Sequence, residues 1–249
     1  MLQQVDKLFV APRDPQIPIW RYMDFTRYVA MLEEQGVFFA RVDNLNDRFE
    51  GSIPEPSARQ YEEVKRELRD AGVPLNGERL PYREMLRKVR PWVLVSSWHL
   101  NEQESAAMWS LYGHSENAIA VCSTYEKLRT AMERAQEEIY LGAVRYISYE
   151  DDEIPLEHLL WPFIHKRRSF EHERELRALM VDERRAFAGK EPPPDGGAWV
   201  KTPLAGLIDA VYVAPDAEPW VRELVERVSR RYGLDTPVRQ SALDKDPLF

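Results

Sequence analysis

Apolar and polar positions follow two different periods along this chain of 249 residues, and they predict a mixture of helices and strands. Apolar residues three or four apart predict helices over about 25–35, 57–71, 82–89, 104–112, 124–138 and 217–232. Runs of β-branched and aromatic residues predict strands at 37–42, 91–98, 118–122, 143–147 and 210–213, with an edge strand at 238–240. Because these elements do not alternate regularly, we expect an α+β fold, with a mixed or split small β-sheet core surrounded by helices.

The length fits one domain, which is expected to run over residues 1–249 with a helical insertion at about 55–90. Asp24 belongs to the residue types that cap helix N-termini, so the first helix is expected to begin directly after it. Gly36 is expected to end that helix, because glycine readily adopts the left-handed conformation found at helix C-termini.

The net charge of −8 bears on the partners that the protein can have. Proteins that bind nucleic acid normally present a basic surface, so nucleic acid is not a favoured partner.

Cys122 is the only cysteine, which excludes an internal disulfide and suits a reducing compartment. The N-terminus lacks a basic region followed by an apolar stretch, and no window approaches the roughly 18 apolar residues of a membrane span. We therefore expect a cytoplasmic protein without a membrane partner. The sequence does not specify an oligomeric state.

The segment from Lys166 to Arg177 concentrates charge directly before an apolar run, and it is the best candidate for chemistry in the chain. A strand through this segment would point Glu173, Glu175 and Arg177 to one face. The opposite face would carry Leu176, Ala178 and Met180. Two interpretations are open here: a charged wall of a cleft, or a solvated edge whose charge prevents aggregation.

Four residues with side-chain oxygens cluster between two predicted elements, namely Asn44, Asn46, Asp47 and Glu50. Such a cluster suits either a turn that bonds its own backbone or a hard-cation site. The turn is favoured, because the spacing departs from that of a calcium loop, and no metal site is expected. Trp109 and Tyr112 share one face of a predicted helix, and aromatic pairs at that spacing are more often core than ligand platform.

Arg21, Ser97 and Glu175 lie on predicted strands or strand ends in distant parts of the chain. An arginine offers a planar fork to a phosphate, and a serine offers a hydroxyl. A carboxylate can stabilise an oxocarbenium-like centre or accept a hydroxyl proton. Each residue is ordinary by itself, so the interpretation depends on whether the fold brings the three together.

Short motifs resemble a known family when they are taken in order along the chain. In the first two thirds they are Trp20-Arg21-Tyr22, Phe38-Phe39-Ala40, Asn46-Asp47-Arg48-Phe49-Glu50-Gly51, Ser96-Ser97-Trp98, Met108-Trp109-Ser110-Leu111-Tyr112-Gly113, Lys166 and Glu173-Arg174-Glu175-Leu176-Arg177. Tyr212-Val213-Ala214-Pro215 and Tyr232-Gly233-Leu234 follow near the C-terminus. The chain resembles, over nearly its full length, the bacterial family called domain of unknown function 2971, a label that carries no activity.

The order Arg21, Ser97 and Glu173-x-Glu175 is similar to the Arg-Ser-Glu pattern of NAD-dependent ADP-ribosyltransferases. That resemblance implies that Arg21 holds the cofactor phosphate, Ser97 lies beside the nicotinamide ribose and Glu175 stabilises the ribosyl cation. Glu173 would select or activate the acceptor. The resemblance also implies a cofactor site that includes Tyr22, Ser96, Trp98, Trp109 and Tyr112, in a cleft to which Asn46, Asp47, Glu50, Lys166 and Arg177 contribute.

The resemblance implies NAD as cofactor, an unknown macromolecular acceptor, and an enzyme that acts as a toxin or a phage-defence effector. The motif around Ser97 departs from the usual Ser-Thr-Ser form, since it reads Val95-Ser96-Ser97-Trp98. One alternative is a metal-dependent nuclease, in which Asp47 or Glu50 joins Glu173 and Glu175 to hold Mg²⁺ with Lys166 near the phosphate. A non-enzymatic sensor or interaction module is another. The transferase hypothesis requires Arg21, Ser97 and Glu175 to converge on one cleft between two small sheets.

Overall fold

The computed structural model describes residues 8–71, 82–113, 117–156 and 158–244. Its helices are α1 Phe25–Glu33, α2 Glu55–Asp70, α3 Tyr82–Val89, α4 Ala106–Tyr112, α5 Tyr125–Glu133, α6 Glu183–Phe187, α7 Leu204–Leu207 and α8 Pro219–Arg231. Its strands are β1 Pro18–Asp24, β2 Gly36–Arg41, β3 Val93–Leu100, β4 Ala118–Thr124, β5 Tyr140–Ala143, β6 Arg145–Ile147, β7 His165–Arg167, β8 Glu175–Val181, β9 Gly197–Lys201, β10 Ala210–Val213 and β11 Val238–Gln240.

The described strands form one nine-stranded sheet and a separate parallel pair, β6 with β7. Most neighbours in the large sheet are antiparallel, whereas β10 and β11 run parallel, so the sheet is mixed. Helices surround the sheet in irregular order along the chain. The α+β fold expected from the sequence is therefore confirmed. None of the helices in the described ranges combines the length and apolar character needed to cross a membrane.

The sheet divides at β3, and this division creates the site. One edge of β3 pairs with β8 along the strand, from Val93 to His99. The other edge carries β2 at Leu94 and Val95, and β1 at His99 and Leu100. Among the described strands none pairs with the residues between those two contacts on that edge. Because β1 continues into a branch with β4, while β2 continues into a branch with β9, the two branches separate and leave a gap beside the middle of β3.

Helix α1 begins as the sequence predicted and ends differently. The Asp24 carboxylate accepts a hydrogen bond from the Arg27 amide, which confirms the predicted N-cap. The helix ends at Glu33, before the predicted stop at Gly36, and Gln35 takes the left-handed conformation with φ of 44°. Gly36 opens β2 instead. A Cβ there would lie 2.5 Å from the Val200 carbonyl oxygen, so glycine is needed because β9 approaches closely.

Two other predicted elements are divided or shortened. The strand predicted at 143–147 is broken, because β5 ends at Ala143 and pairs with β8, whereas β6 begins at Arg145 and pairs with β7. The helix predicted over 124–138 ends at Glu133. In the stretch predicted to be a helical insertion, the structure contains α2 and α3, and residues 72–81 between them lie outside the described ranges.

Two hydrophobic clusters pack on the sheet, and alternation along β3 and β8 divides them. Leu94, Trp98, Leu176 and Ala178 belong to the larger cluster, which also includes residues of α1, α5 and α8. Val93, Val95 and Leu179 point the other way, into a smaller cluster with Trp92 and Phe163. The face of β3 that carries Val93 and Val95 continues into Ser97 and His99. The site therefore begins where this face changes from apolar to polar residues.

Candidate functional site

A cavity of about 270 Å³ lies at the gap beside β3. Twelve of the residues predicted for the site line it: Arg21, Tyr22, Asn46, Asp47, Glu50, Ser97, Trp98, Tyr112, Lys166, Glu173, Glu175 and Arg177. The three residues of the Arg-Ser-Glu order thus reach one cavity from β1, β3 and β8. Its volume lies just below the range for small-molecule sites, which is roughly 300–1,000 Å³.

Arg21 is a largely enclosed cation that has only neutral hydrogen-bond partners. Its guanidinium reaches across the gap in the sheet and donates to the Ser96 hydroxyl at 2.6 Å and to the Phe38 carbonyl at 2.8 Å. It also lies over the Trp98 ring, 5.8 Å from the centroid. Burial, together with the positive charge of Arg27, lowers the pKa of Arg21 to about 10. In the described part of the chain, no carboxylate forms an ion pair with this guanidinium.

Ser96 and Ser97 have different surroundings because successive residues of a strand point to opposite faces. Ser96 is fully buried, and its oxygen also accepts a hydrogen bond from the Trp98 indole nitrogen at 3.2 Å. Ser96 therefore accepts a hydrogen bond from Arg21 but does not line the cavity. Ser97 lines it, directly opposite Arg177 in the pairing of β3 with β8.

Five charged residues form what we call the charged cluster: Glu50, Lys166, Glu173, Glu175 and Arg177. Arg177, which is 0% exposed, donates from Nε to Glu175 at 2.6 Å and from its two terminal nitrogens to Glu50 at 2.8 and 2.6 Å. Lys166 pairs with Glu173, and its Nζ lies 3.4 Å from Glu175 and 3.6 Å from Glu50. All five side chains are buried and paired with one another, and the cluster sets three carboxylates against two cations.

The surroundings of Glu173 and Glu175, the two glutamates of the Glu-x-Glu motif, shift their pKa values in opposite directions. Burial alone would raise the pKa of Glu175, but the charges of Arg177 and Lys166 outweigh it and lower the pKa to about 2. Burial and the neighbouring Glu175 carboxylate raise the pKa of Glu173, against the opposing charge of Lys166. Glu175 is thus the ionised member of the pair, and Glu173 is the member that takes up a proton first.

The prediction that Glu173, Glu175 and Arg177 share a strand face is wrong for Glu173. Strand β8 begins at Glu175, and Glu173 ends a 3₁₀ turn over Arg168–Glu173. Arg174, between the turn and the strand, takes the left-handed conformation with φ of 41°. Glu173 nevertheless reaches the cavity, where its carboxylate accepts a hydrogen bond from the Tyr112 hydroxyl at 3.0 Å.

The aromatic pair of α4 is divided between the core and the cavity. Trp109 is buried in the larger cluster, where its indole nitrogen donates to Glu104 at 3.0 Å, and it does not line the cavity. Tyr112 does line the cavity and is 41% exposed, so the expectation that both residues are core is wrong for Tyr112.

The polar loop from Asn44 to Gly51 is a turn, as predicted. The Asp47 carboxylate accepts from the Phe49 amide at 3.0 Å and pairs with Arg167 at 2.8 Å. Asn46 and Asp47 line the cavity, and Glu50 enters the charged cluster. Across the described ranges, no group of three or more His, Cys, Asp or Glu side chains is arranged to hold a metal ion. The carboxylates that the nuclease alternative requires are paired with Lys166 and Arg177 instead.

Eight of the residues that line the cavity were not predicted for the site, and two of them, His99 and Phe170, contact residues of the charged cluster. His99 is 3% exposed, and its Nδ1 lies 2.6 Å from the Glu173 carbonyl oxygen. The Phe170 ring packs against Lys166, whose Nζ lies 4.6 Å from the ring centroid. Period two along β3 could have identified His99, because it follows Ser97 by two residues on the same face. No comparable signal marks Phe170.

No protein-family model matches the chain, and no curated protein matches it in sequence. The resemblance to domain of unknown function 2971 therefore stays a prediction. Among solved structures, the chain is similar to DarT of Thermus sp. 2.9 in complex with NAD⁺, with 11% identity over 95% of this chain and 100% of that one and a TM-score of 0.42. The complex of the same protein with carba-NAD⁺ is 10% identical over 94% of this chain and 98% of that one, with a TM-score of 0.38. Its complex with ADP-ribosylated ssDNA is 11% identical over 92% of this chain and 94% of that one, with a TM-score of 0.40. Similarity of this degree assigns neither an activity nor a residue role.

Proposed function

We propose that the protein is an NAD-dependent ADP-ribosyltransferase-like enzyme that transfers ADP-ribose to a macromolecular acceptor. The observation that carries the proposal is the convergence of Arg21, Ser97 and Glu175 on one cavity from three different strands. Each residue type has a separate task in such a reaction, and the ordinary interpretation of each residue alone does not account for their common location.

The charges around the cavity fit a zwitterionic dinucleotide. Buried charges are normally paired, and among the described residues Arg21 has only the Ser96 hydroxyl and the Phe38 carbonyl as hydrogen-bond partners. An anionic ligand group would supply its counter-ion, and a guanidinium fork suits a phosphate. The charged cluster elsewhere on the wall has three carboxylates against two cations and holds Glu175 ionised. This arrangement favours a cationic group near Glu175 and an anionic group at Arg21.

The proposed chemistry uses Glu175 as an electrostatic stabiliser. As the bond between the nicotinamide nitrogen and ribose C1′ breaks, the nicotinamide leaves neutral and positive charge develops on the ribose. The ionised Glu175 carboxylate stabilises that charge, an effect worth most where water is excluded. The acceptor nucleophile then bonds to C1′ and releases its proton. Ser97 is proposed to lie beside this ribose. It lies on the same face of the sheet as Glu175, two positions before His99, which is the residue that pairs with Glu175.

A second cavity, of about 650 Å³, lies next to the smaller one. Glu175 lines both cavities, and Tyr146, Glu171 and Arg174 also line the larger one. The Tyr146 hydroxyl accepts a hydrogen bond from the Glu175 amide at 2.8 Å, which fixes the strand between the two cavities. We propose that the ligand occupies the smaller cavity and that the acceptor approaches from the larger one.

The test incubates the protein with NAD labelled in its ADP-ribose part, together with candidate acceptors. These acceptors are single-stranded DNA, because one similar structure is a complex with ADP-ribosylated ssDNA, and a mixture of cellular proteins. Release of nicotinamide and transfer of label are both measured. The wild type is expected to be active, and Glu175→Gln to lose at least about 100-fold in rate, as expected for removal of a transition-state stabiliser.

Two further variants make the result specific. Arg21→Met is expected to raise the apparent Kd for NAD, because the phosphate loses its cationic partner, whereas the matched control Glu183→Gln removes an exposed carboxylate of α6 and keeps full activity. NAD binding without release of nicotinamide would favour a binding module. Mg²⁺-dependent cleavage of nucleic acid that is lost in Asp47→Asn and does not need NAD would reverse the assignment.

A further inference from the structure

His99 has a buried ring nitrogen without a hydrogen-bond partner. The imidazole is 3% exposed and lines the cavity, and its Nε2 bonds to no protein atom in the part of the chain that the structure describes. Buried polar atoms are nearly always hydrogen-bonded, so a free one at the wall of a cavity indicates a partner that the protein does not supply.

The other ring nitrogen fixes the chemical state of His99. Nδ1 lies 2.6 Å from the Glu173 carbonyl oxygen, which can only accept a hydrogen bond, so Nδ1 carries the proton. Burial lowers the pKa of His99 and outweighs the hydrogen bond to the Glu173 carbonyl, which raises it; the positive charge of Arg174 lowers it further, so the ring is neutral. Nε2 is therefore a hydrogen-bond acceptor, and the partner that suits it is an O–H or N–H group of a ligand.

The position of His99 indicates which part of the ligand it meets. His99 and Glu175 are directly paired residues of β3 and β8, so their side chains stand next to each other on one face of the sheet. Glu175 has bonds from Arg177 and Lys166, and a carboxylate can accept about four. At least one acceptor position thus remains on Glu175 beside the acceptor on His99. Two adjacent acceptors complement two adjacent donors, such as the neighbouring hydroxyls of a ribose.

We propose that His99 is a ligand-binding residue whose Nε2 accepts a hydrogen bond from a hydroxyl of the ribose next to Glu175. This inference rests on the proposed function, since it assigns a partner within the same cavity. It gives His99 a task that the Arg-Ser-Glu order does not contain: recognition of a ribose hydroxyl.

Two substitutions separate ligand recognition from support of the backbone. In His99→Asn, the side-chain amide replaces Nδ1 and keeps the donor to the Glu173 carbonyl, while the acceptor at Nε2 is lost. In His99→Gln, the longer amide places an acceptor near the Nε2 position and loses the bond to Glu173. Thermal denaturation and circular dichroism establish that both variants are folded.

The readout is the Kd for a carbocyclic, non-cleavable NAD analogue, measured by calorimetry. His99→Asn is expected to bind the analogue about 10-fold more weakly than the wild type, and His99→Gln less than about 3-fold more weakly. NAD analogues that lack the 2′- or the 3′-hydroxyl of the nicotinamide ribose identify the donor. The analogue without the relevant hydroxyl is expected to bind wild type and His99→Asn equally, because the contact is already absent.

The outcomes distinguish this inference from the proposed function. If the wild type binds NAD, and His99→Asn binds it equally well, His99 only supports the Glu173 backbone and the inference is wrong while the function stands. If His99→Asn weakens binding of both hydroxyl-lacking analogues as much as it weakens binding of the complete analogue, ribose recognition is likewise refuted. If the wild type binds neither NAD nor the carbocyclic analogue, the proposed function fails and the inference fails with it.

Discussion

Arg177 is expected to be the most sensitive single position in the charged cluster, and Arg177→Met tests this. The substitution keeps a long, buried side chain and removes the charge together with three charge-assisted hydrogen bonds, two to Glu50 and one to Glu175. It also removes the bond to the Phe163 carbonyl at 2.9 Å. The two carboxylates are left buried, and Lys166 is the one cation in the described ranges that still pairs with them.

The magnitude follows from burial, because breaking a buried ion pair by removing one partner leaves an uncompensated charge. Such changes cost about 3–5 kcal/mol of the free energy of unfolding, and two carboxylates are stranded here, so we expect about 4 kcal/mol at neutral pH. For a protein of this length, that loss lowers Tm by about 8–16 °C. The matched control is Arg168→Met, whose exposed ion pair with Asp152 at 3.1 Å is expected to contribute less than about 0.5 kcal/mol.

The unfolding free energy that Arg177→Met loses should also become smaller as the pH falls. In the wild type, the pKa of Glu175 is lowered from 4.5 to about 2, so its stabilisation is present above pH 4.5 and is lost as the pH falls through about 2. Without Arg177, burial raises the pKa of Glu175, and protonation at mildly acidic pH relieves the stranded charge. The difference in unfolding free energy between wild type and Arg177→Met should therefore shrink from about pH 7.5 to about pH 5.

Urea unfolding followed by tryptophan fluorescence gives these free energies, and the chain has seven Trp residues as probes. Measurements at both pH values are compared for wild type, Arg177→Met and Arg168→Met. A loss below about 1 kcal/mol, or a loss equal to that of the Arg168 control, would refute the claim that the cluster depends on Arg177. A difference that stays constant with pH would refute the assignment of the stranded carboxylates as its cause.

Two other predictions concern packing and buried hydrogen bonds, and both are checked by thermal denaturation. Gly51→Ala should cost about 3 kcal/mol, because φ is 69° and the new Cβ would lie 2.2 Å from the Phe163 ring; Gly189→Ala, at φ 65° in open space, should cost only about 1 kcal/mol. Equal losses would contradict the packing argument. Ser229→Ala should cost about 2 kcal/mol because it leaves the buried Tyr28 hydroxyl without its partner at 2.7 Å. Tyr28→Phe should cost about 1 kcal/mol, because Ser229 keeps its bond to the Val225 carbonyl, and the reverse order would contradict this reasoning.

Local rules identified most elements of the fold and part of the site. Asp24 capped its helix as predicted, because a cap depends only on residues within one turn. Period two placed Glu175 and Arg177 on one face of β8 and Leu176 and Ala178 in the core on the other. The same rule failed for Glu173, since a left-handed residue at Arg174 interrupts the strand, and a bulky residue in that conformation is not predictable from alternation.

The sequence by itself determined the α+β class, the residue types of the site and the order of Arg21, Ser97 and Glu175, because these depend on composition and on periods within one segment. Only the tertiary structure decided that β1 and β2 meet β3 at opposite ends, which opens the gap that Arg21 crosses. It also brought Glu50 to Arg177 across 127 positions of sequence. Strand pairing and the register of distant segments arise from which faces can be buried together, and no local pattern specifies that choice.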